Sequence, residues 1–212
     1  MKNTFIVSCP IDTYSGYGAR ARDFVKSLIE LDKYDVKILS QRWGNTTRGF
    51  IERNKEKWGF LEEFIIPGLQ EKPDYWCQIT VPNEFQSIGK YNIGLTAGIE
   101  TTNCDIEWIK GCNRMDLILT SSEHSKLTFT NSQFQNKENK DDIIKLKKPI
   151  EVLFEGANLD IYKIIKKFNN KELYNQINLI GEDFAYLNVG HWMQGSFGHD
   201  RKNIAFTIKS FY

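Results

Sequence analysis

The sequence predicts an α/β protein with a Rossmann-like, doubly wound parallel sheet, in which helices cover both faces. Short apolar segments alternate with amphipathic segments along the chain, and this alternation is typical of βαβ units. A glycine-containing turn also connects the first predicted strand to the first predicted helix. No internal repeat is visible, and no run of about 20 apolar residues predicts a membrane span.

The beginning of the chain predicts the first βαβ unit. Residues 5–9 are apolar and end at a proline, which indicates a buried strand. The i, i+3, i+4, i+7, i+8 spacing of an amphipathic helix follows, at Ala21, Phe24, Val25, Leu28 and Ile29. Residues 35–40 form the second predicted strand. Glycines and prolines punctuate residues 41–75, which predicts loops around a short helix or strand.

The middle of the chain predicts the rest of a first domain, residues 1–180. The expected strands are residues 75–81, 91–96, 115–120 and 150–154, and the expected helices are residues 105–112 and 122–129. Residues 131–148 are rich in Asn, Gln, Lys and Asp, a composition typical of a solvated loop. A polar helical stretch to about residue 180 completes this predicted domain.

The last part of the chain predicts the incomplete start of a second domain, residues 183–212. Residues 184–189 form a predicted strand, and residues 201–212 form the start of a helix after a loop. A single strand and a single helix cannot bury a core of their own. We therefore expect this segment to dock onto the first domain, to dimerise or to be poorly ordered.

The composition argues against several classes of protein. Lys and Arg number 28 and Asp and Glu number 27, so the basic excess that marks a nucleic-acid footprint is missing. The four cysteines lack CxxC spacing and the three histidines lie far from them in sequence, so no metal site is expected. Reduced, buried thiols and the lack of a leader-like segment predict a cytoplasmic location, with peripheral attachment to a membrane left open.

The turn at residues 14–20 (YSGYGAR) carries the first candidate chemistry. Gly16 and Gly18 let the backbone approach a ligand, and the following helix N-terminus offers free N–H groups to phosphates. A complete dinucleotide fingerprint would need glycine at position 21, where the chain has Ala21. The pattern therefore fits a phosphate-binding turn or a simple tight connection, and it gives only weak support to a nicotinamide site.

Four segments, taken in order, resemble glycosyltransferase family 4, the retaining group with the two-domain GT-B fold. They are SGYG at 15–18, NIGLTAGIE at 92–100 with NRMDLILTSSEHS at 113–125, VLFEGAN at 152–158, and FAYLNVGHW at 184–192 followed by an Arg-Lys-Asn loop. The resemblance covers nearly the whole chain apart from residues 41–75 and the polar insertion. It implies a Rossmann-like acceptor domain, followed by the first strand and helix of a nucleotide-sugar domain.

The resemblance also implies which residues contact the substrates. The expected donor and phosphate contacts are Gly16, Gly18, Gly190, Arg201 and Lys202. The expected acceptor contacts are Tyr17, Ser122, His124 and Asn158, the last standing where the family usually has Asp. Glu100, at the carboxyl end of a strand, is the expected catalytic residue, because a carboxylate there can accept a proton or hydrogen bond from an acceptor hydroxyl. Fixed cations and helix N-termini can stabilise a departing diphosphate, so no metal is implied.

The function implied by the resemblance is transfer of a sugar from a nucleotide-diphosphate sugar to an unknown acceptor, with no permanently bound cofactor. The family's donor domain continues well beyond the equivalent of Tyr212, so we expect little or no activity from this chain without a donor domain. One alternative is a non-catalytic module that recognises a glycan, a lipid head group or a protein. Another is a different Rossmann-like enzyme, such as an oxidoreductase or a methyltransferase.

Overall fold

The chain forms two units. A computed structural model describes residues 2–135, 143–159, 162–165, 167, 169–189, 197, 200 and 202–211. Contacts between Cα atoms group the chain into Met1–Ala157 and Asn158–Tyr212. The domain limits predicted at residues 180 and 183 stay predictions.

Six parallel strands form the sheet of the first unit, and two further strands form a hairpin. The strands are β1 (Thr4–Cys9), β2 (Asp35–Ser40), β3 (Tyr75–Ile79), β4 (Tyr91–Leu95), β5 (Leu117–Thr120), β6 (Gln133–Gln135), β7 (Ile143–Lys145) and β8 (Ile150–Val152). The order across the sheet is β2-β1-β3-β4-β5-β8, and every neighbouring pair is parallel. All carboxyl ends therefore meet at one edge, hereafter the carboxyl edge. The predicted parallel α/β fold is confirmed.

Helices cover both faces of this sheet, as a doubly wound fold requires. The helices of the first unit are α1 (Gly16–Leu31), α2 (Phe50–Arg53), α3 (Lys55–Trp58), α4 (Ile106–Cys112) and α5 (Glu123–Asn131). Because alternate strand residues point to opposite faces, Val7 packs in one core cluster with Val25 of α1. Its neighbour Ile6 packs in the other cluster with Ile109 of α4 and Phe129 of α5. Among the described residues, no helix is long and apolar enough to cross a membrane.

A hairpin replaces part of the loop predicted over residues 131–148. Strands β6 and β7 pair antiparallel, and Phe134 and Ile144 pack against the core. Each of these apolar side chains lies in the middle of a three-residue strand whose outer residues are exposed. The strands are too short, and the segment too polar, for the alternation to stand out in the sequence. The loop prediction was wrong over these strands.

The second unit contains α6 (Lys171–Asn178) and α7 (Ile204–Ser210). The strand predicted at residues 184–189 is not formed, and Leu187 there is 89% exposed. A strand needs a hydrogen-bonded neighbour, and the described residues of this unit include no other strand. The strand prediction was therefore wrong, whereas a helix does begin within residues 201–212.

Candidate functional site

The glycine turn leaves β1 at the carboxyl edge and begins α1. Ser15 caps the helix, because its Oγ accepts a hydrogen bond from the amide of Gly18 at 2.9 Å. Gly18 is buried, and a Cβ added there would lie 2.5 Å from the carbonyl oxygen of Thr13. Gly16 is exposed, and a Cβ added there would meet no atom within 4 Å. Close backbone packing explains why residue 18 is a glycine. Of the two glycines, Gly16 is the one with open space in which a phosphate could lie.

Arg22 supports the loop between β1 and α1 from inside the protein. Its guanidinium donates to the carbonyl oxygens of Ile11 at 2.8 Å and Thr13 at 3.0 Å. It also lies over the ring of Phe50, 3.5 Å from the centroid. Burial lowers the pKa of Arg22 to about 10. The buried cation fixes the backbone from which the glycine turn is built.

Tyr17 connects the glycine turn to the end of β4. Its hydroxyl lies 3.0 Å from Thr96 Oγ1 and accepts a hydrogen bond from the amide of Ala97 at 3.1 Å. Its ring stacks on Trp43, with 4.1 Å between the centroids. The contact reaches past β3, which separates β1 from β4 in the sheet. The glycine turn and the segment leading to Glu100 therefore lie at the same edge.

A cleft of about 510 Å³ opens at the carboxyl edge, between the segments that follow β4 and β5. Residues 97–100 line one side, and Ser121, Ser122, His124 and Ser125 line the other; this is hereafter the serine cleft. Its volume falls within the range of small-molecule sites. Three residues predicted from the sequence, Glu100, Ser122 and His124, thus share one cleft.

Gly98 sets the shape of the serine cleft. Its φ is +88°, and an added Cβ would lie 2.1 Å from Ser125 Oγ and 2.7 Å from Thr120 Oγ1. Glycine is required for both reasons. Ser125 Oγ also bonds the backbone of Ile99, accepting from its amide at 3.2 Å and donating to its carbonyl oxygen at 3.3 Å. The two walls of the cleft are thereby held at a fixed separation.

The titratable groups of the cleft are Glu100 and His124. His124 Nε2 lies 3.2 Å from the carbonyl oxygen of Thr101, which can only accept, so Nε2 carries a proton and Nδ1 is the acceptor of the neutral ring. Glu100 is exposed, and its carboxylate can accept hydrogen bonds from a ligand. Burial raises the pKa of Tyr17, and the nearby charges of Glu155 and Glu100 add to that rise.

The segment after β8 returns along the carboxyl edge to α1, a feature that the sequence did not reveal. Arg20 donates to the carbonyl oxygens of Leu153 and Phe154, the latter at 3.2 Å. Its Nε lies 3.6 Å from Glu155 Oε1. Burial lowers the pKa of Arg20, and the charge of Glu155 opposes that shift. The sequence predicts only that Arg20 lies in a helix and that Glu155 follows a strand. Neither position indicates that the two side chains meet.

Four predicted site residues belong to the second unit. Asn158 and Lys202 are described, Lys202 as an exposed residue shortly before α7. Gly190 and Arg201 lie outside the described residues. The roles predicted for these four residues stay predictions.

Other candidate chemistry is limited in the described part of the chain. No group of three or more His, Cys, Asp or Glu side chains there is arranged to hold a metal ion. All four cysteines are buried and free of disulfides, and burial raises the pKa of Cys9 and of Cys112 to about 12. Trp76 is buried in the core and Trp108 stacks on Phe129, whereas Trp43 stacks on Tyr17 of the glycine turn.

Comparisons with protein-family models, with curated proteins and with solved structures found no match to this chain. The resemblance to glycosyltransferase family 4 therefore stays a prediction, based on the four segments quoted above.

Proposed function

We propose that this chain forms the acceptor side of a glycosyltransferase that moves a sugar from a nucleotide-diphosphate sugar to an acceptor hydroxyl. The observation that carries the proposal is the serine cleft, which Tyr17 joins to the glycine turn at the carboxyl edge. Ligands of open parallel α/β sheets bind outside the carboxyl ends of the strands. A polar cleft beside a helix N-terminus offers adjacent places for a sugar and for a phosphate.

The chemistry assigned to these groups is a retaining, metal-independent transfer. The acceptor oxygen bonds to the anomeric carbon on the face from which the diphosphate departs, and the bond from that carbon to the diphosphate breaks, so the anomeric configuration is retained. Glu100 accepts the hydroxyl proton. The N–H groups at the start of α1, beside the open backbone of Gly16, stabilise charge on the departing diphosphate. The phosphate contacts that the resemblance implies for Gly190, Arg201 and Lys202 stay predictions.

The second candidate function is a non-catalytic module that binds a glycan. One observation favours it: all residues that line the serine cleft belong to the first unit. Such a module would use the cleft for a sugar and would not need the glycine turn for a nucleotide. Binding of a nucleotide sugar at residues 15–20 therefore separates the two functions.

The test is a titration of the 212-residue chain with UDP-glucose and GDP-mannose, followed through backbone amide NMR resonances. The transferase proposal predicts shifts at residues 15–20, and roughly tenfold weaker binding by Gly16→Leu, because the new side chain fills the open space. Gly68→Leu is the matched control, since a Cβ at Gly68 also meets no atom within 4 Å. Absence of shifts at residues 15–20 with about 10 mM donor would contradict the phosphate contact assigned to the glycine turn. Sugar binding in the serine cleft alone would then support the module.

A further inference from the structure

The second unit carries large apolar side chains on its surface. Leu159 is 75% exposed, Tyr162 is 73% exposed and Ile164 is 94% exposed. In the first unit, by contrast, Ile79 and Ile118 are fully buried in the core. Adjacent apolar side chains at a protein surface mark a site of interaction with another protein or with a membrane. The beginning of the second unit is therefore a candidate docking surface.

The helix that follows this segment, α6, has an apolar face that is not covered. Leu173 and Ile177 lie four residues apart, so they share one face of the helix. Both side chains are exposed, and α6 contains no buried residue. A short amphipathic helix gains most of its stability by packing its apolar face on another surface. The face of α6 therefore extends the candidate docking surface along the chain.

Lysines accompany these apolar side chains. Residues 158–171 contain four lysines and one acidic residue, Asp160, which gives a formal charge of +3 in a chain whose total is +1. Lys163, Lys167 and Lys171 are exposed. Within the described part of the chain, none of these three lysines pairs with a carboxylate. Their ammonium groups are therefore available to an anion outside the chain.

The mixture of charged and apolar side chains indicates what kind of partner covers this surface. Lys163 and Lys167 flank Ile164 and Ile165 in the sequence, so a partner that covers the isoleucines must also accommodate two ammonium groups. The core of a protein–protein interface is depleted in lysine, because burial of an unpaired charge is costly. A bilayer surface accepts both kinds of side chain, since apolar groups enter the acyl boundary while lysines reach the head groups.

We infer that residues 159–180, hereafter the lysine-rich segment, dock on the surface of an anionic lipid bilayer. The exposed isoleucines and the apolar face of α6 enter the boundary between head groups and acyl chains. The lysines contact the lipid phosphates and are attracted by the negative surface potential. The contact is peripheral, because charged residues interrupt the apolar ones too often for a membrane span. The inference does not depend on sugar transfer, since the serine cleft belongs to the first unit.

The test is sedimentation of the full chain with vesicles of phosphatidylcholine that contain about 30% phosphatidylglycerol, compared with vesicles of phosphatidylcholine alone. We expect more than half of the protein to sediment with the anionic vesicles at about 1 mM lipid, and at least about tenfold weaker binding to the neutral vesicles. Raising sodium chloride from about 0.1 M to about 0.5 M should weaken the anionic binding at least about threefold. A sample without lipid corrects for aggregation.

A first variant tests the apolar part of the contact. Ile164→Ser combined with Ile165→Ser should weaken binding to the anionic vesicles about tenfold or more, because two apolar side chains no longer enter the bilayer. Leu127→Ser is the matched control, since Leu127 is an apolar residue of α5 that is 57% exposed in the first unit. This control should change the binding less than about twofold.

A second variant tests the charged part of the contact. Lys163→Gln combined with Lys167→Gln should weaken binding to the anionic vesicles about tenfold and leave binding to the neutral vesicles within about twofold. Lys26→Gln combined with Lys33→Gln is the matched control, because it removes two exposed charges from the first unit. We expect this control to change the anionic binding less than about threefold.

The inference would be overturned if the wild-type chain failed to sediment with the anionic vesicles, or if it bound the neutral vesicles equally well. In the first case, a dimer in analytical ultracentrifugation would identify a second copy as the partner of the apolar surface. Equal binding by the lysine variant and the wild type would also overturn it. Circular dichroism establishes that each variant is folded, and the comparison of the two vesicles needs no variant. None of these outcomes affects sugar transfer, whose test is made without lipid.

Discussion

Two regions of the carboxyl edge, the glycine turn and the serine cleft, are built in opposite ways. In the turn, Gly18, Thr13 and Arg22 are buried, the amide of Gly18 donates to Ser15, and Arg22 donates to the carbonyl oxygen of Thr13. In the cleft, Ser121 is half-buried and Glu100 is exposed, and acceptors remain for a ligand. The difference teaches that a glycine in a motif typical of ligand binding can be required only for close backbone packing. The candidate binding surface is formed instead by the serines that follow a strand.

The largest expected effect tests the packed character of the turn. Gly18→Ala should lower the free energy of unfolding by about 2–4 kcal/mol, because the new Cβ would lie 2.5 Å from the carbonyl oxygen of Thr13. Gly16→Ala, two residues away, should change it by less than about 0.5 kcal/mol. Urea denaturation of both variants makes the comparison. Equal losses would mean that the two glycines do not differ in the way described.

The next effect concerns the support beneath the turn. Arg22→Met should lower the free energy of unfolding by about 2–3 kcal/mol, because the buried carbonyl oxygens of Ile11 and Thr13 lose their donor. Arg42→Met, at an exposed arginine near the same edge, should change it by less than about 0.5 kcal/mol. Denaturant titrations again provide the measurement. A stable Arg22→Met variant would remove the argument that this cation fixes the loop.

Tyr17 joins the two regions, and its loss should have a smaller effect that depends on pH. Tyr17→Phe should cost about 1 kcal/mol at pH 7 through the bonds to Thr96 and Ala97. Burial raises the pKa of Tyr17 above its ordinary value of 10.0, so the folded protein keeps a proton that the unfolded chain releases. The stability contributed by Tyr17 therefore falls as pH rises above about 10. The difference in unfolding free energy between wild type and variant should stay constant up to about pH 9 and shrink above about pH 10. A constant difference would contradict this account.

The smallest effect on stability is expected in the open cleft. Ser121→Ala should change the free energy of unfolding by less than about 0.5 kcal/mol, yet weaken glucosamine binding about two- to tenfold by removing an acceptor. Ser27→Ala is the matched control, since each Oγ donates to a backbone carbonyl oxygen, that of Ser121 to Ala97 and that of Ser27 to Asp23. Calorimetric unfolding and NMR titration measure the two quantities. Unchanged sugar affinity would exclude Ser121 from the binding surface.

The sequence predicted the sheet and part of the site for a specific reason. Parallel strands align their carboxyl ends, so Glu100, Ser122 and His124 could be expected at one edge without coordinates. The reason for Gly18 could not be predicted, because it depends on where the carbonyl of Thr13 lies. The contact of Arg20 with Glu155 was hidden for a similar reason, since these residues are distant in sequence and meet only after the sheet has formed.

The second unit shows that a local sequence pattern is not sufficient to predict a strand. Residues 184–189 have the apolar content of a strand, but a strand forms only against a hydrogen-bonded neighbour. No such neighbour exists among the described residues of that unit. The hairpin of β6 and β7 is the converse case, because a polar segment forms strands when Phe134 and Ile144 can pack on an existing core.

The central claim, that the serine cleft binds the sugar acceptor, is tested most directly by mapping amide resonances during a glucosamine titration. The account predicts the largest shifts at residues 97–100 and 121–125, smaller shifts at Tyr17, and unchanged resonances in β2. The claim would be contradicted if the resonances of the serine cleft stayed unchanged and the shifts centred on the smaller cavity of about 210 Å³ beside Thr4, Asp35 and Gly68.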